Sequence, residues 1–276
     1  MSRIADTFAR LRDEGRAGLI PFVEAFDPDR ETSATLLAGM AARGADLIEI
    51  GMPFTDPMAD GPTIQQAGRR ALRAGATLAG TLGLVRDFRA ANDTVPLILM
   101  GYLNPILSYG VERFTADAAA AGVDGMIVVD LPTEEADLLL PHLRQHRIDL
   151  IRLVAPTTTD ERLPVVLNDS SGFVYYVSIT GITGTRTASA EDLARDIPRV
   201  RKATDLPIAV GFGVRTPAQA ATVARFADAA VVASALIDKL AAGLDAEGKA
   251  PPAIVEAVLD DVAALAAAVR SERRAA

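Results

Sequence analysis

The sequence predicts an α/β fold: a single (β/α)8 TIM barrel with an extra N-terminal helix and elaborated loops after strands 2 and 6. Three observations lead there. Eight short apolar runs alternate with alanine-rich stretches along the whole chain. The runs are apolar on both faces, as strands of a parallel sheet covered by helices must be. A chain of 276 residues carrying eight such units has the length of a closed barrel. A doubly wound open sheet is the alternative, because alternation alone does not show closure.

The elements follow in order. Ile4, Phe8 and Leu11 share one face of an N-terminal amphipathic segment, which is expected to plug the bottom of the barrel. Run one is "GLIPFVE" (18–24), and the helical stretch after it, "DPDRETSATLLAGMAARG", stops at Gly44. Runs two to four are "DLIEIG" (46–51), "VPLILMGY" (95–102) and "GMIVVDL" (125–131), with a helix expected from Thr115 to Gly122 between the last two. Thr133, followed by acids, opens the next helix, and "DLIRLVA" (149–155) is run five. After "GFVYYVS" (172–178), Ser189 and Asp192 mark a helix start. "LPIAVGF" (206–212) leads to Thr216 with Pro217 just inside the helix, "AAVVAS" (229–234) is run eight, and "PPAIVEAVLDDVAALAAAVRSERR" closes the chain as a helix. No linker-like composition interrupts residues 1–276, so one domain is expected.

Run starts near 19, 46, 95, 125, 149, 173, 207 and 229 place the two longest intervals after runs two and six. Loops after the strands build barrel active sites, so chemistry is sought there.

Composition excludes several classes. The formal charge is −8 and no long basic run occurs apart from the tail "RSERRAA", which argues against nucleic acid. Without cysteine there is no disulfide framework, and a reducing compartment is permitted. Charge interrupts the first residues too often for a secretory segment, and no apolar run reaches the ~18 residues of a membrane span. A cytoplasmic protein is the expectation.

Glu49 carries the strongest chemical signal. It lies between Ile48 and Ile50 near the end of run two. Either face of a barrel strand desolvates it, which raises its pKa toward that of a general acid and base working near neutrality. A structurally bonded carboxylate is the alternative. Asp56 and Asp60 follow in "TDPMADGP", where Asp56 suits a turn and Asp60 can return toward the barrel mouth. The loop "SITGITGTRTASAEDL" offers Gly181 and Gly184 with Thr180, Thr183 and Thr185. A plain flexible loop is one reading; Gly211 and Gly213 after run seven, and Ser234 as a helix cap after run eight, add the glycine-rich pattern expected of a phosphate site in this barrel class.

Absences narrow the chemistry. His142 and His146, four apart on a helix, suit a solvated face better than a metal, and Lys202, Lys239 and Lys249 lie away from strand ends, so neither metal-assisted nor Schiff-base aldol cleavage has its groups. Carboxylate acid–base catalysis remains, with Tyr175 as a hydroxyl partner and a substrate that supplies its own electron sink.

"IEIGMPFTDPMADGPTIQ", "MGYLNPI", "DGMIVVDLP", "YYVSITGITGTR" and "GFGVRTP", in order over about residues 19–235, resemble the motifs of the tryptophan synthase alpha-subunit family. The resemblance implies a lyase that cleaves indole-3-glycerol phosphate to indole and glyceraldehyde 3-phosphate, with no metal. By the same resemblance Glu49 shuttles protons, Asp60 steadies charge on the indole N–H, and Tyr175 lies beside them. Phe22, Met100, Ile127, Val129 and Leu153 would form the indole slot, Gly184, Gly213 and Ser234 would hold the phosphate, and Thr183 would couple loop closure to Asp60. The family implies a partner, the beta subunit, in an αββα heterotetramer with docking surfaces at Asp56 and Pro57 and at Tyr102, Asn104 and Pro105. Pyridoxal phosphate belongs to that partner and no cofactor to this chain.

The sequence departs from the family at "VEAFDPD", where Glu24 replaces the usual Thr and Phe26 the usual Gly, and at Ala233, which replaces a Gly before Ser234. Glu24 is expected to raise the pKa of Asp60 by like-charge repulsion. A stand-alone indole-releasing lyase, a non-catalytic regulatory subunit of the beta chain, and another phosphate-binding barrel are the competing readings.

Overall fold

Eight apolar runs become nine strands because the fifth run is broken once. In a computed structural model that describes residues 2–178, 189–211 and 213–272, the strands are β1 (Gly18–Glu24), β2 (Ile48–Gly51), β3 (Leu97–Gly101), β4 (Gly125–Val128), β5 (Asp149–Leu150), β6 (Arg152–Val154), β7 (Val174–Val177), β8 (Ile208–Gly211) and β9 (Ala229–Val232). All pairings are parallel, in the order β5-β4-β3-β2-β1-β9-β8-β7-β6. β5 and β6 are two pieces of one segment separated by Ile151, whose N–H donates to the Met126 carbonyl at 2.9 Å. The order therefore closes on itself as a barrel of eight staves.

Helices α1 (Arg3–Asp13), α2 (Arg30–Ala42), α3 (Pro62–Arg73), α4 (Leu78–Ala91), α5 (Leu103–Tyr109), α6 (Val111–Ala121), α7 (Leu140–His146), α8 (Arg162–Leu167), α9 (Ala190–Arg201), α10 (Pro217–Ala224), α11 (Ser234–Ala242) and α12 (Pro252–Ser271) surround it. Local chemistry sets most of their ends. Asp29 accepts the Thr32 N–H at 2.8 Å, and both Ser189 and Thr216 form reciprocal capping boxes. The helix expected at Thr115 begins earlier, at Val111, because Gly110 takes a φ of 92° and turns the chain directly out of α5. The segment opened by Thr133 is first a 3-10 helix (Thr133–Leu138), and α7 begins only after Leu139. Part of the extra length after run two is an additional helix, since both α3 and α4 precede β3.

Strand alternation sorts the apolar side chains into two layers. Leu19, Ile48, Ile50, Leu97 and Leu99 face the helices, whereas Ile20, Leu47, Ile98, Ile127 and Ile151 fill the barrel. α1 closes the bottom as expected: Ile4, Phe8 and Leu11 join the interior layer, and the Phe8 ring stacks 5.7 Å from Phe173. Each such buried aliphatic side chain contributes about 1.5–3 kcal/mol.

The bottom is also stapled by polar groups in a fourfold pattern. Asp46, Asp124, Ser171 and Asp228, each just before a strand, accept the backbone N–H of Leu19, Leu97, Leu150 and Ile208 on the preceding strand segment, at 3.1, 2.8, 3.0 and 2.8 Å. Arginines neutralise the aspartates: Arg10 and Arg16 at Asp46, Arg3 and Arg89 at Asp124, Arg201 at Asp228. No helix among the described residues is long and apolar enough to cross a membrane.

Candidate active site

The C-terminal ends of β1 to β4 surround a cavity with about 350 Å³ of empty space, its open mouth included. Phe22, Ile64, Met100 and Val129 give it apolar walls, and Glu24, Asp60 and Tyr102 give it polar ones. This is the end of the barrel where the loops after the strands meet.

Glu49 stands on β2 between Phe22 of β1 and Ile98 of β3. Its two isoleucine neighbours face the helices, so the period of two sends Glu49 into the barrel with Leu47. It is 0 % exposed, and neither carboxyl oxygen has a hydrogen-bond partner among the described residues. Burial pushes its pKa up to about 8. A carboxyl with no partner is free to exchange its proton with a bound molecule, which a structurally bonded one is not. Gly51, two residues along the same face, lines the cavity, so Glu49 lies ~6.6 Å deeper in the barrel.

Tyr175 of β7 lies within electrostatic reach of Glu49: burial first, then the negative potential of Glu49, raises its pKa well above the usual phenol value. A β-carbon at Gly211 would come within 2.0 Å of the Tyr175 hydroxyl, so that glycine makes the ring's position possible. Gly51 plays the same part for Glu24, whose Oε2 would be 2.1 Å from a β-carbon there.

Asp60 closes the loop between β2 and α3. Its N–H donates to the Pro57 carbonyl at 3.1 Å, and its own carbonyl accepts from Gln65 Nε2 at 2.9 Å. Burial raises its pKa to about 6, against a hydrogen bond from Tyr102 that pulls it back. The Tyr102 hydroxyl also accepts the Ala59 N–H at 3.1 Å, so one side chain ties down both the loop and its carboxylate.

The other expected residues separate into groups. Phe22, Met100 and Val129 line the cavity, whereas Ile127, Leu153 and Tyr175 belong to the interior layer beneath. Gly213, at φ 83°, and Ser234 lie at the ends of β8 and β9. Ser234 is the first residue of α11 rather than its cap; Ala233 occupies the cap position without a side-chain bond. Thr183 and Gly184, with the rest of 179–188, lie outside the described residues. Asp56 and Asn104 are exposed, Pro57 reaches the cavity, and Tyr102 is buried within the chain. Met52, Phe54, Ile64 and Gly68 were not expected as lining. Their signal was position, since they flank the loop that returns over the mouth. Among the described residues no group of three or more His, Cys, Asp or Glu side chains could hold a metal, and no lysine lines the cavity.

The model of the family described as "Tryptophan synthase alpha chain" matches residues 8–266. The chain belongs to the tryptophan synthase alpha chain family. It is 98 % identical over its 276 residues to the tryptophan synthase alpha chain of Acidiphilium cryptum (strain JF-5), covering 100 % of both chains. The corresponding chain of Granulibacter bethesdensis is 68 % identical, with 100 % of this chain and 99 % of that one covered. Among solved structures, tryptophan synthase subunit alpha from Legionella pneumophila str. Paris superposes with a TM-score of 0.90 at 37 % identity, over 99 % of this chain and 100 % of that one. A Mycobacterium tuberculosis tryptophan synthase structure matches at 0.87 and 39 % identity, over 98 % and 99 %.

The residues expected to depart from the family pattern are placed as follows. Phe26 sits at φ 68°, a left-handed conformation that a glycine adopts without strain, and its ring packs against Gly80 at the start of α4. The repulsion between Glu24 and Asp60 falls on the partner opposite to the one expected. Burial first, then the charges of Asp60 and Asp27, pushes Glu24 well above the usual carboxylate range, while burial raises Asp60 to about 6.

Proposed function

We propose that this chain cleaves indole-3-glycerol phosphate to indole and D-glyceraldehyde 3-phosphate, and passes the indole to a beta subunit for L-tryptophan synthesis. The observation that carries this reading is a fully buried Glu49, with no hydrogen-bond partner among the described residues, in the barrel interior beneath the cavity that Asp60 lines. Family membership supports it.

Glu49, protonated up to pH about 8, delivers its proton to C3 of the indole ring. Ring nitrogen then carries positive charge, which the Asp60 carboxylate stabilises through the N–H. Glu49, now an anion in an apolar barrel, takes the proton of the glycerol hydroxyl next to the ring. The bond from C3 to that carbon breaks, its electron pair restores the aromatic ring, the hydroxyl becomes the aldehyde, and Glu49 is protonated again. The ring itself is the electron sink, so the step calls on neither lysine nor metal.

Phe22, Met100 and Val129 would hold the indole ring, with Ile127, Leu153 and Tyr175 beneath it. Gly213 and the start of α11 at Ser234 would take the phosphate together with Gly184, and Thr183 would couple loop closure to Asp60. The beta subunit would dock at Asp56, Pro57, Tyr102, Asn104 and Pro105, in an αββα assembly. Pyridoxal phosphate, held by that partner, supplies the chemistry that turns indole into tryptophan.

Indole release from indole-3-glycerol phosphate, by the full chain alone and with beta subunit, is the test, with Glu49→Gln and Asp60→Asn beside it. Cleavage that rises with partner and is lost in Glu49→Gln supports the reading. Wild-type chain that binds the beta subunit but cleaves nothing in either condition overturns it.

A further inference from the structure

Glu24 is the unabsorbed group of the cavity. It ends β1 opposite Gly51 of β2, is 5 % exposed, and lines the cavity together with Asp60. Its carboxyl makes no hydrogen bond or ion pair among the described residues. The charged groups around it are spoken for. Asp27, in the loop after β1, is bound by Arg70 of α3 through Nε at 2.7 Å and Nη2 at 2.9 Å. On α11, Asp238 holds Thr63 and Arg215, and Lys239 holds Asp261. Tyr102, after β3, is committed to Ala59 and Asp60. Among the described residues, then, no free cation faces Glu24, and the carboxylates of Asp60 and Asp27 act on it instead. An ion in that position would be largely buried, unpaired among the described residues and repelled by its neighbours, which favours the acid form.

The same geometry defines what Glu24 does for Asp60. Gly51 and Gly68 leave space on this flank of the cavity, with Glu24 Oε1 3.8 Å from where a Gly68 β-carbon would lie. The glutamate side chain fills it. A smaller residue would leave a polar recess next to Asp60, roomy enough for water.

We propose that Glu24 is a positioning residue for Asp60: a neutral carboxylic acid that keeps water off one flank of Asp60 and leaves Asp60 to carry the negative charge facing the substrate ring. This rests on the cleavage reading for its meaning, but its physical content concerns Asp60 alone.

The test is a titration of Asp60 by ¹³C-carboxyl NMR in the full chain, without substrate, for wild type, Glu24→Gln, Glu24→Ala and Glu24→Thr. The wild-type Glu24 resonance should remain in its protonated range through pH 7. Glu24→Gln, neutral and of the same shape, should leave the Asp60 midpoint where it is. Glu24→Ala and Glu24→Thr, which admit water, should lower it by about half a pH unit or more. In the enzyme assayed with beta subunit, the acid limb of kcat/KM should move with the midpoint in the same variants and stay in place in Glu24→Gln. A midpoint that falls in Glu24→Gln shows Glu24 to be charged and overturns the proposal, as does a midpoint unmoved by all three substitutions. Because the NMR arm needs no turnover, absence of indole release would count against the function and not against Glu24.

Discussion

Glu49 sets folding against function in one residue. A carboxyl buried in the barrel with no hydrogen-bond partner among the described residues is tolerated while it is neutral, and every step toward ionisation costs stability. Its folded-state pKa of about 8 lies above the unfolded value of 4.5. The stability it permits is thus fully present below pH 4.5 and lost as pH rises through about 8. Glu49→Gln removes that titration. Its melting temperature should rise relative to wild type between pH 5 and pH 8, by roughly 5 °C in the difference between the two proteins. A gap that stays constant over that range would show that Glu49 does not titrate there. The same substitution should lower indole release by about 10²–10⁴-fold while beta binding persists. Wild-type kcat/KM should be bell-shaped, falling below about pH 6 as Asp60 gains a proton and above about pH 8 as Glu49 loses one. A profile flat from pH 5 to 9 would separate both carboxyls from the chemistry. Glu49 could be found in the sequence because one carboxylate between two isoleucines breaks a strand pattern. The role of Glu24 could not, because which of two neighbouring acids keeps its proton depends on the depth of each, and depth is a property of the assembled barrel.

At the scale of elements, the barrel is held at its lower rim by the repeated polar staple. Asp124 joins β3 to β4 by accepting the Leu97 N–H, and it answers Arg3 and Arg89 with a carboxylate that is only 5 % exposed. Asp124→Ala would leave a buried N–H and a buried guanidinium without their acceptor, and should cost about 3–5 kcal/mol in urea unfolding. Asp87→Ala, which breaks an exposed pair with Arg30, should cost less than about 1 kcal/mol. Equal losses would mean that burial of the staple is irrelevant. Its trace lies in the sequence as "GAD", "GVD" and "FAD" before runs two, four and eight, but Ser171 replaces the acid at the sixth, and three short matches do not announce a repeat. Runs and caps were legible because period-two apolarity and Ser, Thr or Asp caps act locally. The start of α6 was not, since it depends on a turn at Gly110. Nor was the break in the fifth stave, which concerns ladder geometry at Ile151 rather than composition.

At the scale of the molecule, what remains to be explained is the apolar surface beside the mouth. Met58, in the loop that carries Asp60, and Leu107, on α5, are 68 % and 46 % exposed. Tyr102 joins their two segments by its bond to Ala59, so a body pressing on α5 also presses on the loop that presents Asp60. That is a physical route by which a partner docked there would act on cleavage without touching substrate, as the proposed function requires. Sequence periodicity did not mark Leu107, because a seven-residue helix gives too few turns to define a face: adjacent Ile106 is wholly buried while Leu107 points out. Leu107→Asp places a charge where an apolar contact is expected. It should weaken beta-subunit binding at least tenfold by calorimetry, while the isolated chain's indole release stays within about twofold of wild type. Saturating beta subunit should still restore full stimulation, because the tether through Tyr102 is intact. Unchanged affinity would place the docking surface away from α5, and unchanged affinity with lost stimulation would make α5 a transmitter rather than a contact.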